Sequence, residues 1–491
     1  MKSIRRLISI LSLTASLCSC RVGPKYHEPQ FTPPIQWKNQ ELEEEPVLPN
    51  YCNWWEVFHD SVLNHLEWQA LENNKDIHIA LSRIAQARAT SLTSQAALFP
   101  QLSFSPAGSK INGPVNLTPL DRLRPLTTIL PPISLKNIDI AYLLLPINLS
   151  YEIDLWQKNQ RLFEVDYYNY QAQEEAYRTA MLSLTTNLAD VYFNLRTSDK
   201  LLKVLAAILE IRKENLRINR SRFEKGLSTK IDLSQAEEEF YSAEADYYQT
   251  LGQRGTYENA IATLIGLPAS QLTIALQPLE FDPPKIPIGL PSELLLRRPD
   301  IAQAERQMAS SHAKIGAAYA SFFPSLNLNS AFEYLTLELK HLFKARSRLF
   351  SVGFLADQTL FDGGRKSANL LLAKAQFEES LENYEKIILQ AFQEVEDSLV
   401  TLQNQSKQFS SLSRALASAT DTTTLSNKRY KSGLVNYTEV IQNQRIQYDL
   451  ELNHVRLQGQ RYQATIQLIK ALGGNWNAME VSTIEELQCE E

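Results

Sequence analysis

Residues 143–154 read Leu-Leu-Leu-Pro-Ile-Asn-Leu-Ser-Tyr-Glu-Ile-Asp. Leu143, Leu145, Ile147, Leu149, Tyr151 and Ile153 fall on one face, and Leu144, Pro146, Asn148, Ser150, Glu152 and Asp154 on the other. A period of two over about eleven residues, apolar against mostly polar, predicts a β-strand. About 9–11 residues with that alternation is what a bilayer-crossing strand needs, although a soluble sandwich strand has the same period. The pattern returns later in the chain. Leu326, Leu328 and Phe332 alternate with Ser325, Asn327 and Asn329; Phe350, Val352, Phe354 and Ala356 alternate with Ser351, Gly353 and Asp357. Upstream, a helical pattern over 61–98 is stopped by Pro100, and Leu102 and Phe104 then alternate with polar neighbours. Residues 106–138 hold six prolines and no helical period, which predicts a long loop. Four such strands make a poor sandwich, and too few for a barrel unless subunits combine.

Beyond each strand pair the helix breakers vanish. No Gly or Pro occurs between Pro146 and Gly226, or between Gly364 and Gly433. These stretches predict very long helices at 158–222 and 365–430, each about 95 Å at a rise of ~1.5 Å per residue. Leu188, Val191, Leu195, Ser198, Leu202, Leu205, Leu209, Arg212 and Leu216 alternate spacings of three and four, as in a coiled-coil seam. Each long helix then meets an Arg-x-x-x-Gly-Leu turn and returns as a second helix, at 229–265 and 436–472. Gly226 and Gly433 fit the left-handed cap that ends a helix at a hairpin tip.

These elements occur twice. Asp76-Ile77 recurs as Asp300-Ile301, and Phe99-Pro100 as Phe323-Pro324, at one offset (300 − 76 = 324 − 100 = 224). Arg222-Phe223-Glu224-Lys225-Gly226-Leu227 recurs as Arg429-Tyr430-Lys431-Ser432-Gly433-Leu434 at another (433 − 226 = 207). The expected organisation is a targeting segment at 1–19, an extended tail at 20–60, repeats at 61–280 and 281–476, and a C-terminal tail at 477–491.

Composition narrows the function. The chain has 491 residues, 44% hydrophobic and 21% charged, with a net charge of −6. An acidic chain without basic tracts argues against nucleic-acid binding. Lys2, Arg5 and Arg6 precede an apolar run from Ile8 to Leu17, the layout of a secretory signal. Leu17-Cys18-Ser19-Cys20 resembles a lipobox, which would make Cys20 the lipidated first residue; the plainer reading is a buried Cys after an ordinary signal. Cys52 and Cys489 could pair in an oxidising compartment, but sequence leaves that open. No further run approaches the apolar length of a spanning helix. Seven histidines show no metal-ligand spacing, and no phosphate loop or nucleophile elbow is present. No catalytic residue, metal or cofactor is therefore expected, apart from lipid on Cys20.

Trp54-Trp55-Glu56-Val57-Phe58, Arg297-Arg298-Pro299-Asp300-Ile301, Leu360-Phe361-Asp362-Gly363-Gly364-Arg365, Glu394-Val395-Glu396-Asp397 and Ala471-Leu472-Gly473-Gly474-Asn475-Trp476 resemble the TolC-like outer-membrane efflux factors. Cys20-Arg-Val-Gly-Pro24-Lys-Tyr26-His-Glu-Pro29 resembles the lipoprotein branch that includes OprM and NodT. The resemblance implies a mainly α fold with a small β part, internally duplicated, each repeat giving two transmembrane strands and a long helical hairpin. It implies a homotrimer with a 12-stranded β-barrel in the outer membrane and a periplasmic α-barrel. Its implied role is the passive exit duct of a tripartite pump, partnered by a periplasmic adaptor and an inner-membrane RND-type transporter. The competing reading is a structural coiled-coil lipoprotein tethered to the outer membrane without a pore.

Two sites follow from the resemblance. The tips Arg222, Gly226, Leu227, Ser228 and Arg429, Gly433, Leu434, Val435 would meet the adaptor, unless they merely cap hairpins. Acidic residues on the second returning helix would ring the closed entrance. That role falls to Glu439, with Gln442 where relatives often carry Asp and Asp232 as the first-copy equivalent; the bland alternative is a solvated helix carboxylate. One departure from the family pattern is Gln157, which stands where relatives carry Gly after Asp-Leu-Trp and is expected to alter the local turn. The other is the Pro-rich loop at 106–138.

Overall fold

A computed structural model describes residues 21–29, 31–38, 53–113, 138–289 and 291–474. The expected signal segment, Cys20, Cys52, Cys489 and the C-terminal tail lie outside these residues. The elements follow the duplicated order. Helices α1 (Ser61–Asn73) and α2 (Lys75–Ala96) lead to strands β1 (Gln101–Phe104), β2 (Ala107–Gly113) and β3 (Ile138–Glu152), then α3 (Lys158–Glu224) and α4 (Lys230–Leu264). The second copy gives α5 (Pro291–Arg297), α6 (Pro299–Ala320), β4 (Ser325–Thr336), β5 (Arg348–Asp357), α7 (Arg365–Lys431) and α8 (Tyr437–Ala471). Both long helices have 67 residues and both return helices 35. No described helix is long and apolar enough to cross a membrane.

The described residues form two compact units, each drawing on both repeats. One lies within Met1–His27, Ala87–Asn169 and Met308–Glu379 and contains the sheet. The sheet is antiparallel in the order β1–β3–β4–β5, with β2 also on β3. Strand β2 corrects the expectation of an unbroken loop over 106–138. Two glycines and only one large apolar residue hide it in the sequence, and pairing with the outer half of β3 creates it. It and β1 run along one partner, separated at Ser105-Pro106, where proline has no N–H to give the ladder. Residues 114–137 lie outside the description.

Register carries the alternation across the sheet. Phe104, Ile147, Phe332 and Phe350 share one row, and Leu102, Leu149, Ser330 and Val352 the next; Tyr151, Leu328 and Phe354 follow. The other face carries Ser103, Asn148, Ala331 and Ser351, then Gln101, Ser150, Asn329 and Gly353. The first face is almost wholly apolar and the second mostly polar. Its large side chains stay exposed, Phe104, Phe350, Val352 and Phe354 each above 60%.

Where β3 passes into α3, Trp156 donates to the Pro324 carbonyl at 2.8 Å and stacks on Phe323. Asp154 caps the helix by accepting from the Gln160 N–H at 2.8 Å. Gln157, between them, has φ 58°. It takes up the left-handed conformation that glycine adopts freely, so the departure from the family pattern is carried as backbone strain.

The second unit lies within Glu28–Gln86, Tyr170–Gln307 and Ser380–Glu491. Here the expected helix over 61–98 proves to be two, broken at Asn74. The Asn74 side chain accepts from the Asp76 N–H, starting α2, and donates to the Leu264 carbonyl at 2.8 Å. The second copy breaks at the equivalent place, before Pro299, and there Arg298 donates to the Asp300 carboxylate and to the Ala471 carbonyl at 3.0 Å. Asn74 and Arg298 stand at the first offset, 224; Leu264 and Ala471, the last residues of α4 and α8, stand at the second, 207. Just beyond them Gly266 and Gly473 have φ 76° and 90°. A Cβ there would sit 2.6 Å from the Asn73 carbonyl oxygen and 2.9 Å from that of Arg297. Only glycine satisfies both the dihedral and the space.

The seam on α3 is real. Leu188, Leu195, Ser198, Leu202, Leu205, Arg212 and Leu216 are buried, and Val191 and Leu209 half-buried. Leu205 and Ile208 pack on Ala243 and Tyr247 of α4 and on Tyr448 and Leu452 of α8. The buried Arg212 is matched by the Glu239 carboxylate at 2.7 Å, which offsets the cost of a charge in the bundle.

Gln157→Gly is expected to raise the thermal unfolding midpoint of the detergent-solubilised protein. The released strain is worth roughly 1–2 kcal/mol, and the added chain entropy of glycine offsets about half of it. Calorimetry checks this, and a lowered midpoint would contradict the strain.

Candidate functional site

The two hairpin tips are built alike. Gly226 (φ 68°) donates to the Phe223 carbonyl and Leu227 to that of Arg222, both at 2.8 Å. Gly433 (φ 74°) donates to Tyr430 at 2.9 Å and Leu434 to Arg429 at 3.0 Å. This crossed pair of bonds is a left-handed helix stop. The glycines serve the dihedral, and a Cβ on either would meet nothing within 4 Å. The space over each tip is therefore open. Leu227 and Leu434, 66% and 69% exposed, are apolar knobs that no described neighbour covers. Ser228 and Val435 are half-buried beside them.

The tip arginines do not behave alike. Arg222 donates to the Tyr430 hydroxyl at 2.8 Å, linking the first tip to the second. Arg429 lies 3.5 Å from the Glu439 carboxylate, across its own turn. Both partners of that pair are about half exposed, so it contributes little.

The equivalent carboxylates, Asp232 and Glu439, have different employment. Asp232 completes a capping box on α4: Thr229 accepts from the Asp232 N–H at 3.2 Å, and Asp232 accepts from the Thr229 N–H at 2.9 Å. The Thr229 backbone N–H, then its hydroxyl, hold the Asp232 carboxyl below its ordinary range; Arg222 adds a smaller pull. On α8 the N-cap is Asn436, whose side chain makes no capping bond. Glu439 is thus released from helix capping, and Gln442 is exposed on the same helix. Behind them the hairpins are clamped by Arg445, which pairs with Glu239 and lies 3.4 Å from Glu238.

With this geometry in view, comparison places the chain. It matches the sequence pattern described as Outer membrane efflux protein at residues 67–267 and again at 290–474. The chain belongs to that family. The Escherichia coli O6:H1 protein "Cation efflux system protein CusC" is 30% identical, over 94% of this chain and 97% of its own length. "Probable outer membrane lipoprotein SilC" of Salmonella typhimurium is also 30% identical, over 96% of this chain and 99% of its own. The crystal structure of the Campylobacter jejuni CmeC outer membrane channel superposes with a TM-score of 0.86 at 25% identity, covering 94% of this chain and 96% of that one. The TolC-like fold is therefore the fold of this chain, its place is the outer membrane, and its role is that of an efflux channel, the outer-membrane component of a pump. The tethered coiled coil without a pore gives way to the channel.

The tip glycines, leucines and arginines singled out in the sequence all meet at two matched turns. Asp232 starts α4: the Thr-x-x-Asp signature at residues 229–232 is a helix-start signal, and the structure forms the capping box that it encodes.

Thr229→Ala is expected to cost about 1 kcal/mol locally and to speed amide exchange over residues 230–233. Asn436→Ala should leave exchange over 437–440 unchanged. Because the folded Asp232 pKa is depressed, its contribution is complete above the unfolded value and is lost as pH falls through the folded one. Hydrogen exchange should therefore show the first tip loosening in acid while the second is indifferent.

Proposed function

We propose that three copies close their sheets edge to edge into one twelve-stranded barrel, forming the outer-membrane exit duct of a tripartite efflux pump. The observation that carries this reading is the apolar face running in register across β1, β3, β4 and β5. That face suits hydrocarbon, but among the described residues both edges of the sheet are unpaired, and lipid does not tolerate open edges. Four alternating strands place β1 and β5 in opposite directions, so β5 of one copy can pair antiparallel with β1 of the next. The polar face would then line the water-filled passage. Passage is passive, with no catalytic step. Cys20 carries the lipid that anchors the N-terminus to the outer membrane. The exposed Leu227 and Leu434, under open space at both tips, receive the periplasmic adaptor, which connects the duct to an inner-membrane RND-type transporter.

Glu439 is the gate residue of this reading. It is not consumed by a cap, and its partner Arg429 holds it through a half-exposed pair. Threefold symmetry gathers three such carboxylates, with Gln442 one turn further along, at the closed entrance. A carboxylate ring binds cations and opens by mutual repulsion.

Two measurements test this. The full-length protein, extracted in detergent, should sediment as a trimer and conduct ions in a planar bilayer; a monomer without conductance would end the duct reading. In the same bilayer, Glu439→Gln should weaken block by divalent cations severalfold while Asp232→Asn leaves block unchanged. An unaltered block in Glu439→Gln would remove that residue from the gate.

A further inference from the structure

The connection between β4 and β5, residues 337–347, reads Leu-Glu-Leu-Lys-His-Leu-Phe-Lys-Ala-Arg-Ser and is followed by Arg348. It is a built loop. Thr336 donates its hydroxyl to the Glu338 carbonyl at 2.9 Å, Ser347 donates to the His341 carbonyl at 2.8 Å, and Leu342 is buried. Its single acid is already engaged, since Glu338 lies 2.7 Å from Lys340 and 3.5 Å from the His341 ring. Lys344, Arg346 and Arg348 are exposed, and no acid among the described residues pairs with them.

Register decides what these cations face. Arg348 stands opposite Tyr334, and the next row on the same face is Phe350 opposite Phe332. Arg348 therefore lies on the apolar face itself, one row or about 7 Å beyond its aromatic row. Phe343 packs its ring edge-on to Tyr334 with centroids 5.5 Å apart, and the exposed Lys344 is its neighbour in the chain. Arg346 differs. It lines a separate open groove with Tyr142, Leu335, Thr336 and Leu337, which includes neither Tyr334 nor Phe343. The helices join the strands at the other end of the sheet, so this loop caps the end remote from them.

An apolar face that ends in Tyr, Phe, Lys and Arg is the signature of the membrane–water boundary. With the sheet spanning the membrane as proposed above, this end of the apolar face would stand at headgroup level and the apolar rows at the level of the acyl chains. We propose that Lys344 and Arg348, with Tyr334 and Phe343 beneath them, form a binding site for a phosphorylated lipid of the outer leaflet. The proposal rests on the membrane-spanning reading of the sheet given above. It adds that the duct holds an anionic lipid at its outer rim and does not merely sit among lipids.

The test uses the full-length protein purified in dodecyl maltoside, with lipid retention read by native mass spectrometry. The probes are diphosphoryl lipid A, dioleoyl phosphatidylcholine and inorganic phosphate. Lipid A should be retained over phosphatidylcholine. The double variant Lys344→Gln/Arg348→Gln should weaken that retention roughly twenty-five-fold, about fivefold for each charge removed near an anionic surface. Arg346→Gln, a single charge removed at the neighbouring groove and away from the Tyr334 and Phe343 rings, should stay within about twofold of the parent, as should Lys344→Arg/Arg348→Lys, which keeps both charges. Equal loss in Arg346→Gln would reduce the site to diffuse positive charge and overturn it. So would equal retention of phosphatidylcholine, or displacement of lipid A by millimolar inorganic phosphate. Planar-bilayer conductance of the double variant separates the two readings: a conducting variant that binds lipid A like the parent refutes the lipid site and leaves the duct standing.

Discussion

In hydrocarbon an unpaired backbone amide has no water to turn to, and each such group costs several kcal/mol. That constraint governs this chain more than any side-chain contact does. The sheet has apolar rows suited to lipid, yet among the described residues its β1/β2 and β5 edges have no strand partner. The proposed threefold closure removes all of them at once. It also requires an even number of strands per copy, because an odd number would bring parallel edges together. The duplication supplies that parity: each repeat contributes one strand out and one strand back. The break between β1 and β2 does not spoil the count, since both halves run along β3.

The same duplication organises the helical part. The fixed pair of contacts, Asn74 to Leu264 and Arg298 to Ala471, ties the start of each repeat to the end of its own return helix. Gly266 and Gly473 bring the backbones close enough for this to happen. These contacts persist in both copies although the residue making them has changed from Asn to Arg. What is kept is a donor aimed at a helix-terminal carbonyl, the group a helix end leaves unsatisfied. The copies also diverge at the tips, in the use of Asp232 and Glu439.

The legible parts of the fold were those with long, repeated signals. The α3 seam, both 67-residue helices and the two glycine tips follow from periodicity and breaker placement, with ends within two residues of those observed. Strand β3 was legible from Leu143 onward, where one face is apolar without interruption; Asp139 on that same face hid the five residues that precede it. Strand β2 was not: Ala107-Gly108-Ser109-Lys110-Ile111-Asn112-Gly113 has no strand character of its own, and only its partner makes it a strand. The break at Asn74 escaped because Asn-Asn-Lys within a helical period reads as a weak interruption, and the deciding bond comes from a carbonyl 190 residues away. At the candidate site, Gly226, Gly433 and the exposed leucines were legible as turn chemistry. The capping role of Asp232 was also written in the sequence, as Thr-x-x-Asp, but it competed with a spacing argument that pointed elsewhere. Arg212 shows the reverse case, a charge within an apolar seam whose partner Glu239 no local pattern could name.

Gln157 and the paired tips describe where this chain keeps and where it relaxes order. The capping box on α4 and its absence on α8 have a consequence for any assembly of three copies. Six tips would present themselves to a partner, nearly identical in outline, with leucine knobs at matched positions. Alternate tips would differ in how firmly the return helix starts, because only those at Thr229 carry a capping box, worth about 1 kcal/mol. The ring would keep a sixfold outline while its helix starts alternate in firmness with threefold symmetry.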